Sequence, residues 1–600
     1  MVYETSYETG RMPFRPDTKR GQWATPTDFI VSCLSFGFKT DFVFVGWYYF
    51  FEAGVAAIFP YLICLALYVV PIIVIQCFMG QFSSSGYISA FRVSPFFKGM
   101  GYVSLALNLI TISYYAVFLI IPMHYMLQSF RPTIPWSCEG VKTWIEKGVD
   151  YSLCNITTAN YTVEMDVEHT NATNDFWYRP SEEIPSSLYF KYLFESFTPY
   201  DPENYVFSIS WPLVVCNFIG WGIIAFIFYY FFEAEKLGKL LRYGFLTTMG
   251  LLVICLARFL FLPGVLDNIE DFFLPSPHKL LLCLPNAPFF VLAAFGGGWG
   301  SIISLSSLNK FKTNIMRQSW LICFGQLGIF LMFGMVSFMI QKHFHATQDK
   351  TYYEYVEHHL QLFLSTGTAL VTMELANLWS IIYYGMMTLA SIIMIVTQLF
   401  STLLAIYDEF EVLRERKHEV SLVIIGSLAL ISTYYCSSHG IVYFMTISTD
   451  ALLTQTVLHL ILLLVVLWIY GRERFQRDIE FMLGQRFSTW KVNMLRFISP
   501  ICLLFTMLIT VSLAFYEHLF TSVVIQVLAF IFILLPWLAI PGYGILSMLQ
   551  TTGSIGMRFK RCCRPTDWYP VEADDRQRYE DAMGNMDITH QLNEVTADAD

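Results

Sequence analysis

Twelve apolar runs of about twenty residues recur along this chain, at 28–49, 55–79, 100–127, 211–232, 241–262, 287–308, 318–341, 378–404, 420–437, 441–470, 492–515 and 521–548. Each is long enough to cross about 30 Å of hydrocarbon as a helix. The pattern predicts an all-α, polytopic membrane protein, and a composition of 55% hydrophobic against 14% charged residues lies well outside that of soluble domains. The formal charge of -10 says little about partners by itself, because in a membrane protein the placement of Lys and Arg matters more than their sum. No nucleic-acid partner follows from it.

Placement gives the expected orientation. Arg92 with Lys98, Lys236 with Lys239 and Arg242, Lys310 with Lys312 and Arg317, Arg414 with Arg416 and Lys417, Arg472 with Arg474 and Arg477, and Arg558 with Lys560 and Arg561 all fall on one side of a twelve-span chain, together with both termini. That side is expected to be cytoplasmic, in the plasma membrane. The N-terminus is polar and has no hydrophobic run behind a basic start, so the first span itself is expected to direct insertion. The expected division is a cytoplasmic tail over 1–27, a twelve-helix domain over 28–550 and a cytoplasmic tail over 551–600, whose polar, acidic stretch 565–600 reads as disordered.

On the opposite side, the long loop 129–210 carries three acceptor sequons, at Asn155, Asn160 and Asn171, and two cysteines, Cys138 and Cys154. It reads as a glycosylated extracellular loop with a disulfide between those two cysteines. Cys562 and Cys563, in a basic stretch after the last run, fit either palmitoylation or unmodified thiols.

Two runs are interrupted. The first holds Lys39, Thr40 and Asp41 near its middle, and an ionisable residue at that depth marks a polar site facing the protein interior. The sixth holds Gly296, Gly297, Gly298 and Gly300, more glycine than close helix packing needs, each weakening a helix by about 1 kcal/mol relative to Ala. Runs one and six are five apart, as two inverted five-helix repeats with broken helices 1 and 6 require, and such breaks are where transporters bind cargo. Phe38, Lys39, Asp41, Phe295, Gly296 and Trp299 flank them.

Several strings then carry a resemblance: Arg20-Gly-Gln-Trp23, Gly80-Gln81-Phe82-Ser83-Ser84, Ser94-Pro-Phe-Phe-Lys98-Gly-Met-Gly101-Tyr102, Tyr114-Tyr115, Pro135-Trp136-Ser137-Cys138, Leu262-Pro263-Gly264, Asn309-Lys310-Phe311, Asp408-Glu409-Phe410 and Tyr470-Gly471 with Asp478-Ile479-Glu480. In this order the chain resembles the neurotransmitter:sodium symporters over about residues 20 to 550. The resemblance implies a LeuT-type fold, a cytoplasmic gate made by Arg20 and Asp408, and Tyr115 as the aromatic that lids the substrate. It places Trp299 just after the sixth-run break.

The resemblance also exposes departures. Where the family reads like GLGNVWRFP, with an Asn that binds sodium and an Arg that gates, this chain has Lys39 to Trp47 with neither. Ile393, Met394 and Ile395 stand where the family holds a second sodium, and alkyl groups cannot coordinate a hard cation. Gln326 stands where the family has an Asn, Phe330 where a Ser helps bind chloride, Phe290 for a chloride-binding Gln and Ala294 for a Ser, so that of the chloride shell Tyr61 alone remains. The usual sodium and chloride sites are therefore expected to be largely dismantled, and no other cofactor is implied.

Lys39 then has three readings: a built-in substitute for sodium, a proton carrier, or one half of a self-neutralising pair with Asp41. Two functions compete. One is alternating-access transport of a small amine, amino acid or osmolyte with altered or absent sodium and chloride coupling. The other is a non-transporting relative that scaffolds or senses through cytoplasmic partners of its tails. Besides membrane lipid, a small-molecule substrate is the expected partner of the first. No enzyme motif is present, and Cys436-Ser-Ser-His439 has too few ligands for a metal.

Overall fold

The computed structural model describes residues 14, 17, 20–39, 54–144, 185–194, 207–273, 287, 288, 291, 300–348, 361–485, 487–519, 526, 527 and 530–583. Among the described residues there is no β-strand, and one isolated antiparallel bridge joins Ile209 to Ser437. Among the described residues, each of the twelve apolar runs contains helix. In chain order they are α1 Pro26–Ser35, α2 Ile58–Ser83, α3 Gly99–Gln128, α4 Trp211–Tyr230, α5 Ala234–Phe259 and α6 Ser301–Ser306, then α7 Ile315–Gln348, α8 Ala376–Glu409, α9 Lys417–Ser432, α10 Ser438–Leu464, α11 Ser499–Leu519 and α12 Ala539–Gln550.

Nine of these, all but α1, α6 and α12, are by length and apolarity able to cross a bilayer among the described residues. They differ in what they face. The apolar windows of α8 and α3 are 89% and 78% buried, those of α5 and α11 only 28%, so α3 and α8 form the centre and α5 and α11 present apolar surface outward, as lipid contact requires. The central helices carry the polar side chains, and these bond internally, as they must where no water competes. Ser391 Oγ on α8 donates to the Phe118 carbonyl of α3 at 2.7 Å. Asn108 Oδ1 on α3 accepts from both Gln398 Nε2 at 3.1 Å and Ser301 Oγ at 3.1 Å, which ties α6 to the same centre.

Local sequence sets where the first helix starts. Pro26 occupies its first turn, where a missing N–H costs nothing. Asp28 accepts from the Thr25 amide at 3.1 Å and the Thr25 hydroxyl at 2.9 Å. The buried Asp28 carboxylate also meets Arg242 of α5 at 3.5 Å. At the other end α1 passes into a 3-10 turn over Phe36–Phe38, and Lys39 is extended at φ -67°, ψ 91°. The α6 helix starts after Gly300, whose φ of +86° is left-handed. A Cβ there would also lie 2.8 Å from Tyr87 Cβ, so the backbone angle and the close approach both demand glycine.

The composition of 565–600 predicts disorder, yet residues 564–583 are seated on the face where the two terminal segments meet. Residues 584–600 lie outside the described residues. The seat is an aromatic floor: Trp568, 1% exposed, stacks on Phe82 at 5.2 Å, and Tyr579 packs against Phe82 and Phe481 at 5.5 and 5.2 Å. Polar contacts fix the register. Tyr579 donates to Asp478 Oδ1 at 3.1 Å, Trp568 Nε1 to the Tyr470 hydroxyl at 3.2 Å, and Arg92 Nη1 to the Asp567 carbonyl at 3.1 Å. Two buried aromatics, eleven positions apart, outweigh an average composition that is polar.

Tyr579→Phe removes one hydrogen bond to a buried carboxylate, at a cost of about 1.5–3 kcal/mol. The fraction of chains with 565–583 undocked is expected to rise by roughly ten- to a hundredfold. Limited proteolysis of the purified full chain measures this. Equal cleavage of variant and parent within the segment would contradict the docking.

Candidate functional site

The end of α1 delivers Lys39 to the interior, where it is 2% exposed. Its Nζ lies 5.6 Å from the centroid of the Tyr115 ring on α3, within range of a cation–π attraction. The Tyr115 hydroxyl is buried and has no hydrogen-bond partner among the described residues. Phe38, also buried, packs on Phe245 of α5 at 5.3 Å. So two of the sequence-derived binding residues, Lys39 and Tyr115, are brought together, while the Phe38 ring packs toward α5. Asp41, Phe295, Gly296 and Trp299 lie outside the described residues, as do Cys154, Asn155, Asn160 and Asn171. Cys138 begins a short helix, Cys138–Trp144, and is partly exposed.

Ile393 and Met394 of α8 are 4% and 3% exposed, and their alkyl groups offer no oxygen to a hard cation. Tyr61 of α2 stacks on Phe330 of α7 at 5.4 Å with an interplanar angle of 28°. The α1 helix is pressed close to α7 here. A Cβ on Gly37 would sit 3.2 Å from Ile329 Cδ1, and Gln326 Nε2 donates to the Cys33 carbonyl at 3.4 Å. Gln326 thus serves the α1 backbone. The described part of the site holds one buried ammonium, one buried phenol and apolar walls, a set suited to a small solute with an anionic group.

The gate expected between Arg20 and Asp408 is formed. Arg20 Nη1 meets Asp408 Oδ2 at 3.0 Å, with side chains 7% and 3% exposed. Arg20 also donates to the Ser84 carbonyl at 2.6 Å and to the Ser307 hydroxyl, while Asp408 accepts from the Gly86 amide at 2.6 Å. Burial pulls the Arg20 guanidinium below its usual range, and Asp408 and Asp17 oppose that pull; a guanidinium remains charged. Trp23 locks the same segment: its indole donates to the Leu305 carbonyl at 2.8 Å, and its amide to the Leu308 carbonyl at 3.0 Å.

Sequence reasoning found both charges of this gate but not the backbone that completes it. Ser84 sits at φ +44°, a left-handed turn at the end of α2 that aims its carbonyl at Arg20. The signal was present only as part of a quoted string, since Ser is not a residue whose sequence context announces a left-handed turn. Glu409, next to the gate, pairs with Lys98 of the α3 entry and accepts from Ser89 at 2.9 Å. The face is therefore held by a chain of charges from Arg20 to Lys98.

The sequence model of the sodium:neurotransmitter symporter family matches residues 20–551. Among curated proteins, the human sodium- and chloride-dependent neutral and basic amino acid transporter B(0+) is 25% identical over 594 residues, covering 94% of this chain and 91% of its own. A Xenopus laevis sodium- and chloride-dependent glycine transporter 2 is 26% identical, with coverage of 94% and 74%. The human sodium- and chloride-dependent creatine transporter 1 is 23% identical, with coverage of 97% and 91%.

Proposed function

The chain belongs to the sodium:neurotransmitter symporter family, and from that premise we propose that it is a secondary active transporter of small carboxylate-bearing solutes in which Lys39 replaces a bound sodium ion. The fold is the family's all-α, LeuT-type bundle of about twelve helices, and the activity is not enzymatic. The observation that carries the proposal is the buried Lys39 ammonium over the Tyr115 ring, beside a phenol with no partner among the described residues. A carboxylate placed between them takes a charge-assisted bond from Lys39 and a hydrogen bond from Tyr115. The relatives' names add support, since neutral and basic amino acids, glycine and creatine all carry a carboxylate.

In this reading a fixed cation does electrostatically what a bound metal ion does, and the alkyl groups of Ile393 and Met394 remove the second site. Coupling to sodium and chloride is lost or altered. Arg20 and Asp408 close the cytoplasmic path while the outer path is open, and both termini are cytoplasmic in the plasma membrane. The loop 129–210 then faces outside, with a bridge between Cys138 and Cys154 and glycans at Asn155, Asn160 and Asn171. Candidate cargo contacts from the first and sixth breaks are Asp41, Phe295, Gly296 and Trp299.

Uptake of a radiolabelled panel tests this in cells with surface delivery verified. The panel holds neutral and basic amino acids, guanidino acids, and the matching amines without a carboxylate. Uptake confined to the carboxylate-bearing members is expected. Uptake of the bare amines alone would contradict the role given to Lys39, and a surface-delivered chain that moves none of them would favour a scaffold acting through its tails.

A further inference from the structure

The outer face of the bundle holds a charge with no counter-charge among the described residues. Arg496 lies in the span Thr489–Ser512, whose apolar window is only 28% buried, and an arginine placed there is costly unless something anionic meets it. Trp468 lies in the wide turn Val465–Gly471 that continues α10, with its ring centre 3.8 Å from the Arg496 guanidinium carbon, and the Phe497 ring lies at 5.6 Å. The two rings meet edge to face at 5.7 Å. Trp468 and Phe497 are 48% and 50% exposed, and Ile498 and Ile501 beside them 41% and 65%, so this aromatic seat opens outward, where lipid lies.

Stacking on a ring serves the flat face of a guanidinium and none of its five N–H donors. Among the described residues Arg496 makes no hydrogen bond and no ion pair. Its Nε is buried without a partner, and its two Nη groups are the donors left accessible. The neighbouring helical segments supply no acid: residues 489–512 and 530–550 contain neither Asp nor Glu, and Asp450 of α10 precedes Trp468 by eighteen residues, about 27 Å along a helix axis. Past Trp468, Glu473 pairs with Arg472 at 3.9 Å, and Asp478 accepts from Tyr470 and Tyr579. The counter-charge must come from outside the described residues.

Position identifies what supplies it. Pro500 has no N–H for the Arg496 carbonyl four residues back, and the chain widens into a π-turn over Met494–Ile498 with Arg496 at its centre. Arg496 comes seven residues after Thr489, about 10 Å along the axis. Helical side chains lean toward the helix start, here the membrane boundary, and a long arginine reaches from that depth to the level of lipid phosphates. Trp490, 68% exposed, marks the same boundary. Arg472, Arg474 and Arg477 follow Trp468 on the face where Tyr579 bonds Asp478. A guanidinium fork matches two oxygens of a phosphate. An anionic glycerophospholipid brings that phosphate with its charge uncancelled, whereas a choline headgroup carries its own cation.

We infer that Arg496, held by Trp468 and Phe497, is a binding site for the phosphate of an anionic glycerophospholipid in the leaflet on the side where residues 564–583 dock. The site is separate from Lys39 and depends neither on the cargo nor on transport. The test is native mass spectrometry of the full chain released from detergent, parent against Arg496→Gln. Each is titrated with dioleoylphosphatidylglycerol, with dioleoylphosphatidylcholine, and with phosphatidylglycerol in the presence of inorganic phosphate. The dissociation constant of the first bound lipid is the quantity read.

The first phosphatidylglycerol is expected to bind the parent roughly tenfold or more tightly than it binds Arg496→Gln, because a charge-assisted bond is lost, and phosphatidylcholine to bind the parent more weakly than phosphatidylglycerol. Equal binding of phosphatidylglycerol by parent and variant overturns the site. Phosphatidylcholine held as tightly as phosphatidylglycerol overturns the anionic class, and displacement of the lipid by inorganic phosphate overturns the lipid as the source. The same spectra give the mass of the assembly. A parent that is dimeric where Arg496→Gln is monomeric, with equal lipid binding, assigns this face to a second copy and overturns the proposal. If Arg496→Gln does not fold, Trp468→Leu takes its place: loss of the ring that holds the guanidinium is expected to weaken phosphatidylglycerol severalfold, and unchanged affinity overturns the site.

Discussion

Lys39→Met is expected to abolish uptake in a chain that still folds and reaches the surface. Methionine is close to lysine in length and apolar volume, so the change removes charge with little loss of packing. The ammonium is 2% exposed. A unit charge pair about 4 Å apart is worth about 4 kcal/mol at the effective dielectric of such sites, which is roughly a thousandfold in substrate affinity. Lys39→Arg keeps the charge but substitutes a planar fork for a compact point charge, and partial uptake with weakened affinity is the expected result. Concentration-dependent uptake by the three chains, with surface biotinylation, checks both. Unchanged uptake by Lys39→Met would remove Lys39 from the mechanism.

Asp408→Ala is expected to open the gate. Removing one member of a buried ion pair costs about 3–5 kcal/mol, because the remaining charge is left uncompensated. Here Arg20 would keep the Ser84 carbonyl, the Ser307 hydroxyl and the charge of Asp17. The population with the gate closed falls by roughly a hundred- to several thousandfold relative to the open one. A reporter cysteine at Ser83, fully buried and next to the gate's Ser84, is then modified faster by a membrane-impermeant thiol reagent applied from the side of the termini. Arg20→Ala together with Asp408→Ala should cost less than the sum of the single changes, the mark of a coupled pair. Additive effects would mean that the two residues hold the gate independently.

The parts of this molecule that were legible from sequence are those with a long or chemically singular signal. Each of the twelve apolar runs contains helix among the described residues, because a helix satisfies its own backbone bonds in lipid. Lys39 stands out as a charge in one such run, and Arg20 with Asp408 stands out through strings of fixed order, so the structure could be expected to join them across the chain. The Lys39–Tyr115 contact of 5.6 Å follows from two positions that were each flagged separately.

What was not legible depends on partners distant in sequence. Gln76 and His459 are single polar residues in apolar runs, with no periodicity to pair them, and only the packing of α2 against α10 puts them 3.2 Å apart. The stacking of Tyr61 on Phe330 is of the same kind. Trp568 and Tyr579 lie in a stretch whose average is acidic and polar, and average composition cannot register two aromatic anchors whose floor, Phe82 and Phe481, lies elsewhere in the chain. Disorder follows from a lack of apolar area to bury, and here the area is supplied by the rest of the protein.

Initial uptake rate of an accepted amino acid, with sodium replaced by choline at constant external pH, tests the central claim most directly. A chain in which Lys39 stands in for the metal ion is expected to transport at the same rate in both media, and Lys39→Met to transport in neither. Uptake that requires sodium would contradict it, because a site with Lys39 fixed in place of the ion would then still be binding one.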